Sequence, residues 1–322
     1  MKAEIPEVTK KTMAKQHYGL AGDHSAVKLC TWLKKSLHNQ GFCYKQKFYG
    51  INSHLCLQCT PIANYCSHNC IFCWRVGDYD LPDKDTEFQK PKEIVDKMIA
   101  AQQKLLTGFK GDERTDLVKW NDAQHPKHAA ISLSGEPLLY PYLSELVQEF
   151  HDRGLTTFIV TNGVHPDALQ KLDPLPTQLY VTLVAPDKET YFRTTRSRLK
   201  DGWERLVKTV TEILPELETR KVLRLTLVKD LNMHSPERYA ELIEKSRTHF
   251  VECKAYMAVG CSTDRLPYEA MPSHDEIREF AKNICSSINW KIIDEQEASR
   301  VVLIAKKDYE WRKHIEKNSY EQ

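Results

Sequence analysis

The sequence predicts an α/β fold in which a parallel sheet, covered by helices, is closed or partly closed into a (β/α) barrel. Short apolar strands alternate with amphipathic helices about six times after residue 54, which is typical of parallel sheets because each return needs a crossover. Polar turn motifs follow several strands, at the ends where barrel enzymes carry their chemistry. The 322 residues suffice for one such barrel.

The individual elements follow from apolar periodicity and turn residues. Strands are predicted over 54–60, 129–134, 156–161, 178–183, 222–228, 250–256 and 300–305. Helices are predicted over 91–107, 141–153, 166–172, 203–214, 236–249 and 273–287. Four of these helices have proline at their first position, where its missing N–H costs nothing.

The N-terminal part is predicted to be a helical extension. Ser25 is placed to cap a helix whose apolar residues recur every three to four positions up to Gly41, with Cys30 facing inward. We expect one domain over 1–322, made of an extension (1–53), a barrel core (54–305) and a tail (306–322).

Composition excludes several classes of protein. Hydrophobic residues make up 41% and charged residues 28%, which is ordinary for globular domains. No apolar run approaches the roughly 18 residues of a membrane helix, and the first residues do not form a secretory signal, so we expect a cytoplasmic protein without a membrane partner. The net charge of +2 means that a nucleic acid would need a local basic patch.

Cysteine is the most informative residue type. Seven of the ten cysteines lie between residues 30 and 73, and in a reducing compartment such clustering indicates ligands rather than disulfides. Cys66, Cys70 and Cys73 form a C-x3-C-x2-C triplet directly after the first predicted strand. Three thiolates can hold three irons of a cubane and leave the fourth iron open to a ligand.

Other interpretations of the cysteines remain. A zinc site from Cys56, Cys59, Cys70 and Cys73 has suitable spacing, although the first two would face opposite sides of a strand. Alternatively, the cysteines could pack in the core as small hydrophobic side chains. Cys30, Cys43 and Cys56, each separated by twelve residues, could bind a second iron–sulfur cluster or simply lie in the core.

The stretch 60–75, TPIANYCSHNCIFCWR, resembles the radical S-adenosylmethionine (SAM) superfamily. Within it, the chain resembles the tRNA 4-demethylwyosine synthases of wybutosine biosynthesis, in the archaeal form without a flavodoxin-like domain. The resemblance continues through LSGEPLLYP (133–141), VTNG (160–163), QLYVTLVAPD (178–187), DGWER (201–205), RLTLVK (224–229), NMHSP (232–236), KAYM (254–257) and MPSH (271–274).

The resemblance implies a reaction and its components. Such enzymes convert 1-methylguanosine beside the anticodon of tRNA(Phe) to 4-demethylwyosine with pyruvate, as carbon–carbon lyases. A 5′-deoxyadenosyl radical abstracts hydrogen from the base methyl group, and the resulting carbon radical adds to pyruvate. Two 4Fe-4S clusters and SAM are implied, together with an external flavodoxin- or ferredoxin-type electron donor and a monomeric state. Cys30, Cys43 and Cys56 match the family's second cluster.

The resemblance also assigns residues. Those implied to bind SAM are Phe72, Trp74, Ser134, Gly135, Glu136, Thr161, Asn162 and Thr182, the last standing where relatives usually have Ser. A basic segment over 191–200, with four positive and no negative charges, indicates an RNA contact on the active face. The expected RNA-binding residues are Arg75, Arg193, Arg196, Arg198, Lys200 and Arg265.

Lys45 matches a lysine proposed to form a Schiff base with pyruvate. Pyruvate could instead bind the open iron of the second cluster, and from the residues alone Lys45 could be a surface lysine beside Lys47. The segment 260–266 reads GCSTDRL where relatives read GYSRxRL, which leaves Arg265 as the remaining arginine near the mouth.

Two further function classes fit part of the pattern. A radical SAM enzyme acting on a peptide or metabolite would need only the Cys66 triplet. A zinc-bearing RNA-binding protein would need no radical chemistry.

Overall fold

The structure is a computed structural model that describes residues 1–75 and 79–316. The strands are β1 (Tyr18–Leu20), β2 (Ala26–Lys28), β3 (Cys56–Thr60), β4 (His128–Ile131), β5 (Thr156–Thr161), β6 (Gln178–Thr182), β7 (Arg220–Leu227), β8 (Phe250–Ala255), β9 (Lys291–Gln296) and β10 (Val301–Ala305). The helices are α1 (Glu7–Lys15), α2 (Thr31–Leu37), α3 (Tyr44–Tyr49), α4 (Pro91–Leu106), α5 (Leu117–Ala123), α6 (Leu143–Asp152), α7 (Pro166–Gln170), α8 (Lys188–Thr195), α9 (Gly202–Lys208), α10 (Leu214–Glu216), α11 (Pro236–Lys245) and α12 (His274–Ile288).

All ten strands belong to one sheet in the order β1-β2-β3-β4-β5-β6-β7-β8-β10-β9. The six strands β3 to β8 are parallel neighbours. Antiparallel strands flank them, with β2 beside β3 and β10 beside β8. No pairing between β1 and β9 is found in the described part of the chain. The predicted parallel barrel is therefore confirmed in its partial form.

Side-chain alternation gives the curved sheet two different faces. On β7, Leu223, Leu225 and Leu227 are fully buried and join the main core beneath the outer helices. The intervening Arg224 and Thr226 face the barrel interior and remain partly accessible. The outer face therefore stabilises the fold, at about 1.5–3 kcal/mol for each large side chain buried, and the inner face is left for polar groups.

Helix α3 fills one end of the barrel interior. Its Tyr44, Phe48 and Tyr49 are buried and share a second core with inward residues such as Tyr180 and Phe250. The Tyr49 and Phe250 ring centroids are 5.8 Å apart. A segment that precedes the parallel strands thus lines the same space as the strands themselves.

The N-terminal prediction is wrong in one respect. The helix expected from Ser25 is instead strand β2, and α2 begins only after Cys30, which is its N-cap. Ala26 and Val27 pair with Thr60 and Cys59 of β3, so strand pairing overrides a helical spacing that arose from unrelated segments. The extension is therefore mixed rather than helical.

The remaining differences are at short or polar elements. The strand over 156–161 is found as predicted, and the other predicted strands overlap observed ones. Strands β1, β2 and β9 and helices α1, α5 and α8 were not predicted, because they are short or carry little apolar periodicity. Within the described ranges, none of the helices combines the length and apolar character needed to cross a bilayer.

Candidate active site

The first cysteine triplet lies in the loop that follows β3, at the carboxyl end of the parallel strands. Burial raises the pKa of the Cys66 and Cys70 thiols, and the neighbouring thiols raise it further, Cys73 among them. Cys73 N donates to Cys70 O at 3.0 Å, which folds the end of the triplet into a turn. The three sulfur atoms therefore occupy one buried region.

This donor set fits an iron–sulfur cluster better than a single ion. Among residues 1–75 and 79–316, no three His, Cys, Asp or Glu side chains are grouped to hold one metal ion. Cys59 packs in the outer core, whereas Cys56 is one of the inward positions of the same strand. The four-thiolate zinc interpretation therefore does not fit, while three separated thiolates suit three irons of a cubane.

The loop of this triplet is held by the end of α8. Asn69 N and Ile71 N donate to Thr195 O and Thr194 O, each at 3.0 Å. Arg198 N donates to Ser67 O at 3.0 Å. Because α8 begins the predicted basic segment, the cluster loop and that segment form one continuous surface.

The basic residues of that segment lie on the surface. All four are exposed: Arg193, Arg196, Arg198 and Lys200. One of them, Arg198, has an ion pair of 3.4 Å with Asp80, which is itself largely exposed. A phosphate group can therefore reach this surface without displacing buried structure.

Two other arginines expected to contact RNA have different partners. Arg75 is 7% exposed, donates to Ser132 O at 3.2 Å, and its guanidinium carbon lies 3.2 Å from the Trp74 ring centroid. Arg265 donates to the carbonyl oxygens of Ile71 and Cys73. Both side chains therefore hold backbone near the cluster loop, and an RNA contact by either arginine stays a prediction.

The predicted SAM residues converge around Glu136. Its carboxylate accepts hydrogen bonds from Thr161 Oγ1 at 2.6 Å, Asn162 N at 2.8 Å and Leu138 N at 3.1 Å. Burial nevertheless raises the pKa of Glu136 to about 7. These three donors use most of the roughly four acceptor positions of the carboxylate.

The neighbouring residues connect this cluster of polar groups to the cysteine loop. Asn162 Nδ2 donates to Ser67 Oγ at 3.1 Å and lies 3.9 Å from Cys66 Sγ. Gly135, between Ser134 and Glu136, has φ +71°, a conformation that glycine adopts at little cost. The other candidates lie nearby in the fold: Phe72 packs on the main core, Trp74 stacks on Arg75, and Thr182 ends β6 beside Arg224.

The second cysteine triplet also converges. Cys30 is the N-cap of α2, Cys43 the N-cap of α3, and Cys56 the first residue of β3. Burial raises the pKa of each thiol, to about 11 for Cys43, and Cys30 and Cys43 raise that of Cys56 further. The twelve-residue spacings thus bring three thiols from three elements to one interior region.

Lys45 points from α3 into the barrel. Its Nζ lies 4.5 Å from the Tyr180 ring centroid and 4.9 Å from that of Phe158. Burial lowers the pKa of Lys45, and the Arg224 guanidinium lowers it further. Lys47 is the exposed lysine of this helix and pairs with Asp294 at 2.9 Å. The surface-lysine interpretation therefore describes Lys47 and not Lys45.

Sequence reasoning missed a buried polar network beside Lys45. Glu252, fully buried on β8, accepts hydrogen bonds from Tyr44 at 3.0 Å, Tyr49 at 2.8 Å and Arg224 at 2.8 Å. Lys254, the next inward residue of β8, donates to the backbone of Ser299 at 2.8 Å. Charged residues at period two in a strand expected to be buried were the available signal.

Comparisons with known proteins agree with this arrangement. The model of the radical SAM superfamily matches residues 60–243, and that of wyosine base formation matches 245–306. The SAM-dependent tRNA 4-demethylwyosine synthase of Pyrococcus abyssi (strain GE5 / Orsay) is 54% identical over 309 residues, covering 94% of this chain and 90% of that protein. The Methanocaldococcus jannaschii synthase is 42% identical, with 93% and 96% covered.

A solved structure of TYW1 with a lysine-pyruvate adduct bound is also similar. It has a TM-score of 0.85 and 42% sequence identity, covering 94% of this chain and 96% of that one. The partial barrel and the cysteine loop at its mouth define a radical SAM enzyme. Within that superfamily, the chain belongs to the tRNA 4-demethylwyosine synthase family.

Proposed function

We propose that this chain converts 1-methylguanosine beside the anticodon of tRNA(Phe) into 4-demethylwyosine, with pyruvate as the carbon donor. The observation that carries the proposal is the pair of half-buried thiol triplets, one in the loop at the carboxyl end of the strands and one beside Lys45. A radical SAM enzyme for another substrate class would need only the first triplet.

The two triplets would hold two 4Fe-4S clusters. Cys66, Cys70 and Cys73 are suited to the cluster that binds SAM, and Cys30, Cys43 and Cys56 to the second. When bound, the first cluster and SAM supply the 5′-deoxyadenosyl radical that abstracts hydrogen from the base methyl group. The chain's own task is to orient both substrates and to exclude water.

Residues at the strand ends position the cofactor. The backbone at Gly135 approaches the segment 62–65 closely, and Glu136 N donates to Tyr65 O at 2.8 Å, which joins the two segments beside the site. The Asn162 side chain is held at both ends. Its Nδ2 donates to Ser67 Oγ, and its Oδ1 accepts a hydrogen bond of 3.1 Å from Val164 N. These contacts keep the polar walls of the site rigid before the cofactor arrives.

Lys45 would bind pyruvate covalently. Its neutral amine adds to the C2 carbonyl, and loss of water gives an imine that holds the remaining carbons in place. Partial burial and the neighbouring Arg224 favour the neutral amine that this step needs. The lysine-pyruvate adduct in the similar TYW1 structure supports this role over binding of pyruvate to an open iron alone.

The remaining components follow from the surface and the chemistry. The exposed basic segment beside the cluster loop would hold the anticodon loop, whose bases can be turned into a pocket. Electrons would come from a separate flavodoxin or ferredoxin, and the overall reaction would be that of a carbon–carbon lyase. All ten cysteines are free, as is usual in the reducing cytoplasm, where we expect the protein to act as a monomer.

Anaerobic reconstitution with iron counting tests the two-cluster assignment. We expect about eight irons per chain, because each cubane holds four, and about four in either Cys66→Ala or Cys43→Ala. Cys66→Ala should abolish SAM cleavage, whereas Cys43→Ala should spare uncoupled cleavage and lose tricycle formation. Cys285→Ala, which changes a buried cysteine outside both triplets, is the control. Equal loss of cleavage in both variants would contradict separate roles for the triplets.

A further inference from the structure

Lys45 and three neighbouring charged side chains face the barrel interior, and we call these four residues the inner charge cluster. They are Lys45, Arg224, Glu252 and Lys254. Arg224 and Glu252 are paired in register on β7 and β8, and Lys254 pairs in register with Thr226 one inward position further on. The cluster thus contains three basic groups and one acid, and Lys45 and Lys254 lie near Cys43 of the second triplet.

Both carboxylate oxygens of Glu252 accept hydrogen bonds from residues other than the two lysines. Glu252 Oε1 accepts from Tyr49, and Oε2 accepts from Tyr44 and from both Nε and Nη2 of Arg224, at 3.0 and 2.8 Å. Glu252 therefore neutralises Arg224 in part and leaves the two lysines without a carboxylate partner in the part of the chain that the structure describes.

Several N–H donors of the cluster remain available. Arg224 Nη1 and Lys45 Nζ have no hydrogen-bond acceptor among the described residues, and Lys254 Nζ donates only to Ser299 O. Two of these donors border the same aromatic ring: Lys45 Nζ and the Arg224 guanidinium carbon each lie 4.5 Å from the Tyr180 ring centroid. Lys254 Nζ lies 5.4 Å from the ring of Tyr44, whose hydroxyl contacts Arg224.

The thiolates proposed to hold the second cluster balance part of this positive charge, but they leave the free N–H donors of the inner charge cluster able to bind a further anion, since buried charges are stable when paired and hydrogen-bonded. Nε and Nη2 of Arg224 are bound to Glu252 and Tyr44, so Nη1 is the group that can donate a charge-assisted hydrogen bond to a substrate carboxylate. We propose that Arg224 and Lys254 bind the carboxylate of the 2-oxo acid substrate and thereby direct its C2 carbonyl carbon toward Lys45. This inference rests on the proposed function and names residues that select its carbon donor.

Such a site distinguishes substrates by charge. A 2-oxo acid places a carboxylate directly beside the carbonyl carbon, whereas its methyl ester offers the same carbonyl without the charge. Burial lowers the pKa of Lys254 to about 8, with Arg224 lowering it further, so this amine is still mostly protonated at neutral pH. The enzyme should therefore prefer the acid over the ester before any chemistry occurs.

Calorimetric titration of the anaerobically reconstituted enzyme with pyruvate and with methyl pyruvate tests the proposal. The unmodified protein should bind pyruvate at least about tenfold more tightly, as expected for one charge-assisted hydrogen bond. Lys254→Met should lose most of this preference by weakening pyruvate binding alone. Lys221→Met is the matched control, since Lys221 is also buried and also donates to a backbone carbonyl, that of Pro215, but lies on the outer face.

Arg224→Lys is the second variant and answers the question if Lys254→Met does not fold. This variant should also reduce the difference in affinity between pyruvate and methyl pyruvate, because an ammonium group cannot reproduce the geometry of a guanidinium group. The proposal is overturned if the unmodified protein does not bind pyruvate, or binds it no more tightly than methyl pyruvate. It is also overturned if the variants keep the preference for pyruvate, or if they weaken the binding of both compounds equally. An enzyme that forms the tricyclic base without this preference refutes only the carboxylate site. One that shows the preference but forms no tricyclic base refutes only the proposed reaction.

Discussion

The backbone of Gly135 passes so close to Ile62 that a Cβ atom at Gly135 would lie 1.9 Å from the Ile62 carbonyl oxygen. The same atom would lie 2.8 Å from the Tyr65 carbonyl oxygen, just before the first cysteine triplet. Two backbone segments that border the candidate cofactor site are therefore in contact with no room for a side chain.

Gly135→Ala should consequently destabilise the protein strongly. The matched control is Gly154→Ala, where φ is a similar +72° but nothing lies within 4 Å of the added carbon. The control should lose about 1–2 kcal/mol for its backbone conformation, and Gly135→Ala roughly 1–3 kcal/mol more for overpacking. Urea unfolding measures both, and equal losses would show that the close approach at Gly135 is not important for stability.

Arg265 should act on the cluster loop rather than on RNA. Its guanidinium donates to two loop carbonyls, and hydrogen bonds to charged groups contribute roughly 1.5–3 kcal/mol each when well ordered. Arg265→Ala should therefore release iron to a chelator faster and reduce SAM cleavage in the absence of tRNA. Arg278→Ala, which removes an exposed arginine paired with Glu295, is the control. Unchanged cleavage with weakened tRNA binding would instead support the RNA contact expected from the sequence.

Lys45→Met should prevent formation of a covalent pyruvate adduct. Borohydride reduction followed by intact-mass measurement detects an imine in the reconstituted enzyme, and Lys47→Met should leave it unchanged because Lys47 is exposed and paired with Asp294. An adduct that survives in Lys45→Met would place the reactive amine elsewhere.

His249 should make the protein sensitive to acid. Burial lowers the pKa of His249 to about 4, with Lys221, Arg220 and Lys307 adding positive charge around it. Between pH 6.5 and 4 the unfolded chain binds a proton that the folded chain does not, so stability is highest above pH 6.5 and falls as the pH drops. The expected loss from this group is on the order of 3 kcal/mol. His249→Asn should make the free energy of unfolding depend less on pH between pH 6.5 and 4. An unchanged pH dependence would contradict the proposed role of His249.

The sequence was sufficient for the barrel core and the cofactor loops, where apolar periodicity and ligand spacing act locally. The strand over 156–161 was predicted correctly, and the Cys66 triplet lies in the loop after the first predicted strand, while its role as a ligand set stays a prediction. Strand β2 was missed because its conformation depends on pairing with β3, a contact between segments 30 residues apart in sequence. Local patterns carry no information about such pairing.

The interior could be predicted only in part. The resemblance indicated Lys45, but its placement against Tyr180 depends on how α3 packs into the barrel. Arg75 was expected to contact RNA, and its burial and its stacking against Trp74 could not be read from the sequence. Glu252 and Lys254 were overlooked because a charged residue in a strand acquires its role from facing neighbours on other strands.

Incubation of the reconstituted enzyme with tRNA(Phe) carrying 1-methylguanosine, SAM, a reductant and carbon-labelled pyruvate tests the central claim most directly. Nucleoside digestion and mass spectrometry should reveal a tricyclic base that contains labelled carbon, with 5′-deoxyadenosine formed alongside it. Cleavage of SAM while 1-methylguanosine remains unchanged and unlabelled would contradict the account.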